Sequence, residues 1–223
     1  MKKCIQPVVL SFFILFLSAT FAAADSLLLQ PGPEEGTDAS WYTFWGDPNN
    51  YNFGHEGYFE MVTYPDSWQG RGLLKFALPD ELAGASIQGA TLSLYGWAVV
   101  GSTLEIRRAT SYWEELPAGS VFTPPAYDSL YQTSAAVPPY SYTWVDYDLT
   151  DMVGFWVSNP GQNYGMVMES ASSHNYAATS DYGDASLRPK LSIDYTKNVV
   201  PEPLSMALFA LGGLAMVLRR RKR

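Results

Sequence analysis

Cysteine is almost missing from these 223 residues, Cys4 being the only one. It lies in an N-terminal stretch that reads as a removable signal, so the body must fold without a disulfide even in a compartment that permits them. Histidine is scarce as well, with His55 and His174 alone. The chain holds no Gly-x-Ser-x-Gly elbow, no His-Glu-x-x-His helix and no glycine-rich phosphate loop. The residue sets of serine hydrolysis, zinc proteolysis and nucleotide chemistry are therefore lacking, and a nucleophile with an oriented base has few candidates. A non-catalytic protein is the expectation. A polysaccharide hydrolase or lyase is the alternative that composition leaves open, because two carboxylates suffice for that chemistry.

Basic side chains are the next shortage. Between Asp25 and Val200 stand seven (Arg71, Lys75, Arg107, Arg108, Arg188, Lys190, Lys197) against 21 acidic ones, a net charge of −14 that the whole-chain value of −8 conceals. Such a body has no electrostatic footprint for nucleic acid and repels polyanions unless cations intervene. Neutral partners or calcium suit it better.

The remaining cations sit at the two ends. Lys2 and Lys3 precede an apolar stretch, Val8 to Leu17, that only Ser11 interrupts, and Ala22-Ala23-Ala24 supplies the small residues that a signal peptidase reads. Residues 1–24 thus read as a signal peptide cut between Ala24 and Asp25. Cys4 lacks the small-residue context that lipidation needs. At the other end, a linker over 197–203 contains Pro201-Glu202-Pro203, an uncharged run follows from Leu204 to Leu218, and Arg219, Arg220, Arg221, Lys222 and Arg223 close the chain. As a helix the run spans only ~22 Å of a hydrocarbon core about 30 Å thick. That makes it a marginal transmembrane segment, and the basic tail would stay cytoplasmic with the body outside. A processed signal fits better than a permanent span, with a simple tail anchor as the rival.

This order of Pro-Glu-Pro motif, hydrophobic helix and basic cluster resembles the PEP-CTERM sorting signal of Gram-negative bacteria. The resemblance implies recognition by an exosortase-type membrane protease. It also implies a precursor held in the inner membrane with its body in the periplasm, destined for the envelope, the extracellular matrix or secretion.

Residues 25–196 are the size of one domain, and their periodicity is that of strands. In Ala90-Thr91-Leu92-Ser93-Leu94-Tyr95-Gly96-Trp97 the leucines share one face and Thr91, Ser93 and Tyr95 the other. Similar runs cover 73–78, 103–108, 144–149, 164–169 and 190–195, between Gly, Pro, Asn and Asp. One helix is expected over 151–157, with Thr150 as N-cap and Met152, Val153 and Trp156 on one face. Residues 116–142, with five prolines, read as a long surface excursion. Leu73, Phe76, Leu92, Leu94, Trp156 and Leu191 are expected core, and Arg188 is expected to pair with a carboxylate. An all-β, jelly-roll-like antiparallel β-sandwich with one short helix accounts for this pattern.

Asp38-Ala39-Ser40, Asn52-Phe53-Gly54, Arg71 to Phe76, Ala90 to Tyr95, Trp144 to Thr150, Asn163-Tyr164-Gly165 and Leu187 to Leu191 resemble successive motifs of the DNRLRE domain, which is related to a carbohydrate-binding module group. The resemblance implies an extracellular β-sandwich, usually an accessory to polysaccharide-active proteins. Phe53 stands where that family has tyrosine.

Two constellations could carry chemistry. Trp41, Tyr42, Phe44, Trp45, Tyr51, Phe53, Tyr58 and Phe59 crowd one segment rich in Asp and Asn. Flat rings stack on the C–H face of a sugar while Asp and Asn take its hydroxyls, so Trp41, Trp45 and Tyr51 are the candidate glycan contacts. Asp38, Asp47, Asp181 and Asp184 are candidate ligands for a structural calcium ion, although no cofactor is required. The expected role is a matrix or envelope protein that binds extracellular polysaccharide. The rival is a biofilm or surface scaffold without glycan affinity.

Overall fold

The longest strand shows how the alternation is used: Ala90, Leu92, Leu94 and Ala98 are buried while Thr91, Ser93, Tyr95 and Trp97 between them face outward. The computed structural model describes residues 24–33, 37–64, 68–171 and 174–197. The expected signal segment before Ala24, the Pro201-Glu202-Pro203 motif, the Leu204 to Leu218 run and the basic tail lie outside these residues. Among the described residues, no helix is long and apolar enough to cross a membrane.

Thirteen strands follow one another: β1 (Ala24–Leu29), β2 (Thr37–Phe44), β3 (Asn50–Gly54), β4 (Tyr58–Tyr64), β5 (Trp68–Lys75), β6 (Ser86–Ala98), β7 (Ser102–Ala109), β8 (Ser120–Val121), β9 (Tyr127–Val137), β10 (Thr143–Asp148), β11 (Met166–Ser170), β12 (Asn175–Ala178) and β13 (Lys190–Thr196). One helix, α1 (Thr150–Ser158), lies between β10 and β11. The strands pair antiparallel and form a β-sandwich, as the alternation predicts. The first layer places β13 and then β12 along one side of β6 and β10 along the other, with β1 beyond β13. The second layer runs β8-β3-β2-β5-β11-β7-β9. β4 belongs to both: Tyr58 to Met61 pair with β12, and Val62 to Tyr64 pair with β5. The chain thereby passes from one layer into the other along β4.

The main core lies between the layers. Phe59, Met61, Leu92, Leu94, Tyr147, Leu191 and Ile193 meet Leu74, Leu104, Ile106, Met166 and Met168, with Met152, Val153 and Trp156 of α1 packed against them. Full burial of each large apolar side chain is worth about 1.5–3 kcal/mol. Leu73 is buried too, but in a second cluster with Ala39, Trp41, Ala109, Trp113 and Val167, against which Phe122, Tyr127 and Tyr164 pack. Part of the proline-rich excursion is therefore a cover for the outer side of β2, β5 and β11.

Three local expectations need correction. Residues 127–137 are a strand, not loop. Pro124-Pro125 and Pro138-Pro139 bound β9 without entering it, and its small and hydroxylated residues suit an edge with one neighbour, β7. Thr150 lies inside the first turn of α1, not at its cap. Asp148 Oδ1 accepts from the Thr150 amide and hydroxyl at 2.9 and 2.6 Å, and Thr150 Oγ1 accepts from the Ala90 amide at 3.0 Å. Arg188 donates from Nε to the Tyr182 carbonyl at 2.9 Å and, among the described residues, closes no ion pair with a carboxylate, its charge reaching Asp184 only at longer range.

Candidate functional site

The outward positions of β6 and β12, and the face of β4, β5, β2 and β3 that continues from them, carry rings, and these rings touch in series across both layers. Trp144 packs on Tyr95 at 5.5 Å between centroids, Tyr95 on Tyr142 at 5.8 Å and Tyr142 on Trp97 at 5.7 Å. Trp97 stacks on Tyr176 at 4.9 Å, and Tyr176 meets Tyr58 and His174. His174 leads to Tyr64 and Trp68, and Trp68 to Tyr42 and Phe44. Tyr51 and Phe53 end the series against Phe44 and Tyr42. Such pairs contribute roughly 0.5–1.5 kcal/mol each beyond the area they bury.

Close approach of β12 to β6 makes this possible. A Cβ on Gly96 would lie 2.1 Å from the Tyr176 carbonyl oxygen. Only glycine lets Tyr176 reach the register in which it faces Trp97.

Two shallow clefts lie along the series and share Tyr58 as a wall. The first, about 230 Å³, is lined mainly by Tyr58, Tyr95, Trp97, Tyr142, Tyr176 and Tyr182. The second, about 310 Å³, is lined by Tyr42, Phe44, Phe53, Glu56, Tyr58, Glu60 and Trp68. Glu60 is held rigidly: the Tyr42 hydroxyl donates to Oε2 at 3.0 Å and the Tyr176 hydroxyl to Oε1 at 2.9 Å. Burial first, and Glu60 next, push both phenols above their usual range, so both remain donors at any physiological pH. The Arg188 bond to Tyr182 braces the far side of the first cleft.

The predicted glycan contacts part company here. Trp41 points into the second cluster, under the cover of the excursion: it is only 7% exposed, its indole N–H donates to Asn50 Oδ1 at 3.1 Å, and the Arg71 guanidinium lies 4.7 Å over its ring. It offers no face to a ligand, because odd positions of β2 turn toward the second cluster while Tyr42 and Phe44 turn to the groove. Trp45, 81% exposed, projects from the turn after β2. Tyr51 is half-buried and donates to Asp47 Oδ2 at 2.7 Å. Tyr95, Trp97, Tyr142, Tyr176 and Glu60 were not among the candidates, although the alternation of β6 already turns Tyr95 outward.

The predicted calcium ligands also divide. Asp47 is engaged locally by Asn49 and Tyr51, which hold its carboxyl below the usual range. Asp184 accepts from the Ser186 amide at the start of a short 3-10 turn. Asp38 and Asp181 do come together, joined by Glu115 and His55. His55 Nδ1 is 3.1 Å from Glu115 Oε1 and 3.9 Å from Asp181 Oδ2. Asp38 is fully buried: Oδ2 accepts from the Ser180 amide at 2.7 Å, while Oδ1 has no hydrogen-bond partner. Burial first, opposed by hydrogen bonds from Ser180 and reinforced by the charges of Glu115 and Asp181, pushes its carboxyl up to about 7. Burial likewise raises Glu115.

Comparison with known families adds a second line. Residues 37–195 match Carbohydrate-binding module family 96. The chain belongs to this family. The match to family 96 begins at the first residue of β2 and ends within β13, so β1 lies outside it. Residues 199–222 match the PEP-CTERM protein-sorting motif, and together the two matches bear out the family resemblances read from the sequence. Neither a family 96 module nor the sorting motif is catalytic. Among curated proteins none matches the chain.

Proposed function

We propose that the chain is an exported, non-catalytic protein that holds a neutral extracellular polysaccharide along the aromatic groove and serves in the matrix or envelope. The observation that carries this reading is the unbroken series of rings from Trp144 to Tyr51 with two clefts sharing Tyr58. Flat apolar faces next to fixed polar groups are what a pyranose requires. Two adjoining clefts suit consecutive units of a chain better than one small molecule. Glu60 and Glu56 in the second cleft, and the acidic body around them, favour a neutral sugar over a uronate. Trp45 extends the series beyond Phe44 as a rim contact. In this reading signal peptidase removes the N-terminal segment, and an exosortase-type protease releases the body at the Pro201-Glu202-Pro203 motif. The apolar run holds the precursor in the membrane until then.

Retention of the full chain, kept soluble in non-ionic detergent, on a panel of neutral and uronate polysaccharides tests the proposal. Saturable retention on a neutral polymer is expected. Tyr58→Ala and Trp97→Ala should each lose about 2 kcal/mol, roughly 30-fold in affinity, as for a well-packed aromatic anchor. Tyr112→Ala, exposed and outside the groove, should change nothing. No retention by a folded sample, or equal retention by all three variants, would sink the reading.

A further inference from the structure

We infer that Glu115 and Asp181, with the buried Asp38 carboxylate behind them, form a calcium site closed on its solvent side by His55. One ligand atom from each of His55, Glu115 and Asp181 lies within 4.8 Å of the other two. Oxygens about 2.3–2.6 Å from a common calcium ion fall within such separations.

Two further observations point to a cation there. Asp38 Oδ1 and Asp181 Oδ2 are both buried without a hydrogen-bond partner, and a buried carboxylate oxygen left unsatisfied is costly unless an ion or donor meets it. Among the described residues, no lysine or arginine pairs with any of the three carboxylates, and the cluster's one ion-pair partner is the exposed His55. Three carboxylates with so little positive charge repel one another, and a divalent ion removes that repulsion. Calcium is the ion chosen because the buried donors are all oxygens. The histidine, 63% exposed on its side chain, can swing outward.

The local backbone is arranged to bring the carboxylates in. Glu115 enters beside Gly54, where a Cβ would lie 2.5 Å from Glu115 Cγ. Its oxygens accept from the His55 amide at 3.0 Å and the Asp38 amide at 3.3 Å. The carboxylates come from β2, from the segment after Trp113, and from the turn after β12. That last turn continues into Tyr182, and His55 leads into Glu56 and Tyr58, all three in the walls of the clefts. A bound ion would therefore fix groove walls through their backbone, a coupling that rests on the glycan reading. The ion site itself does not.

Calcium titration of the chelated full chain, in detergent and without any glycan, tests the site by calorimetry and thermal unfolding. The expected result is one calcium per chain, with affinity in the range of about 0.1–1 mM usual for extracellular modules, and a melting temperature that rises saturably. Asp181→Asn and Asp38→Asn should each weaken calcium binding at least tenfold. Metal-free, both should melt no lower than the metal-free parent, since each removes a repelling charge. Unchanged calcium affinity in both variants, no calcium response in the parent, or a response to zinc without one to calcium overturns the inference. Calcium binding by a chain that retains no glycan supports the site and counts only against the polysaccharide reading.

Discussion

Trp97 on β6 and Tyr176 on β12 lie directly opposite one another and stack at 4.9 Å with 15° between ring planes. The Tyr176 hydroxyl reaches on to Glu60, which also takes the hydroxyl of Tyr42 from the other layer. One carboxylate thus joins the two clefts where β4 bends between the sheets. The groove is organised by this joint as much as by the rings.

Gly96 is the position on which the stack depends. Gly96→Ala would drive a methyl group to 2.1 Å from the Tyr176 carbonyl oxygen, a backbone atom that cannot yield without parting β12 from β6. An overpacking loss of about 2 kcal/mol is expected. In a domain of this size that lowers the melting temperature by roughly 4–8 °C. Calorimetry checks it, and an unchanged midpoint would mean that β12 shifts freely.

Glu60→Gln tests the electrostatics of the groove. The amide keeps the shape but puts an NH2 group where one carboxylate oxygen stood, so one of Tyr42 and Tyr176, which donate to separate oxygens, would face a donor in place of its acceptor. Weaker binding of a neutral polysaccharide is expected from loosened rings, together with stronger retention of uronate polymers at low salt. Comparing the two polymers at low and high ionic strength separates these effects. A parallel change in both would place Glu60 in the scaffold alone.

Acid should weaken the contact between β7 and β9. Arg108, buried at 9% exposure, donates from Nη2 to Asp128 Oδ2 at 2.6 Å and lies 4.3 Å over the Phe155 ring. That hydrogen bond, first among the causes, holds the Asp128 carboxyl below its usual range. A depressed carboxyl contributes stability that is present above its unfolded-state value and is lost as pH falls through the folded one. Asp128→Asn should therefore lower the melting temperature at pH 7 and flatten its decline as pH falls below about 4. Melting curves across pH check this, and parallel curves for variant and parent would refute it.

The alternation of β6, β7 and β13 is legible in the chain because one face of each strand is apolar over several residues. The helix face of Met152, Val153 and Trp156 is legible for the same reason. β9 is not, since an edge strand buries little and Ser, Thr and Ala along it carry no strong period. The acidic body, the two histidines and the tail motif are also plain from composition and order alone.

What the sequence by itself determined is the class of the protein: strands from their period of two, a charge that disfavours polyanions, and a C-terminal sorting motif. Which rings line the groove was decided by the tertiary structure. Trp41 and Tyr42 are neighbours in the chain yet fall on opposite faces of β2, and only pairing with β5 settles which face is covered. Glu115 is 77 residues from Asp38, and Tyr176 is 116 from Glu60. No local pattern encodes such meetings, because they arise where β4 bends from one layer to the other and where long connections return to the same edge.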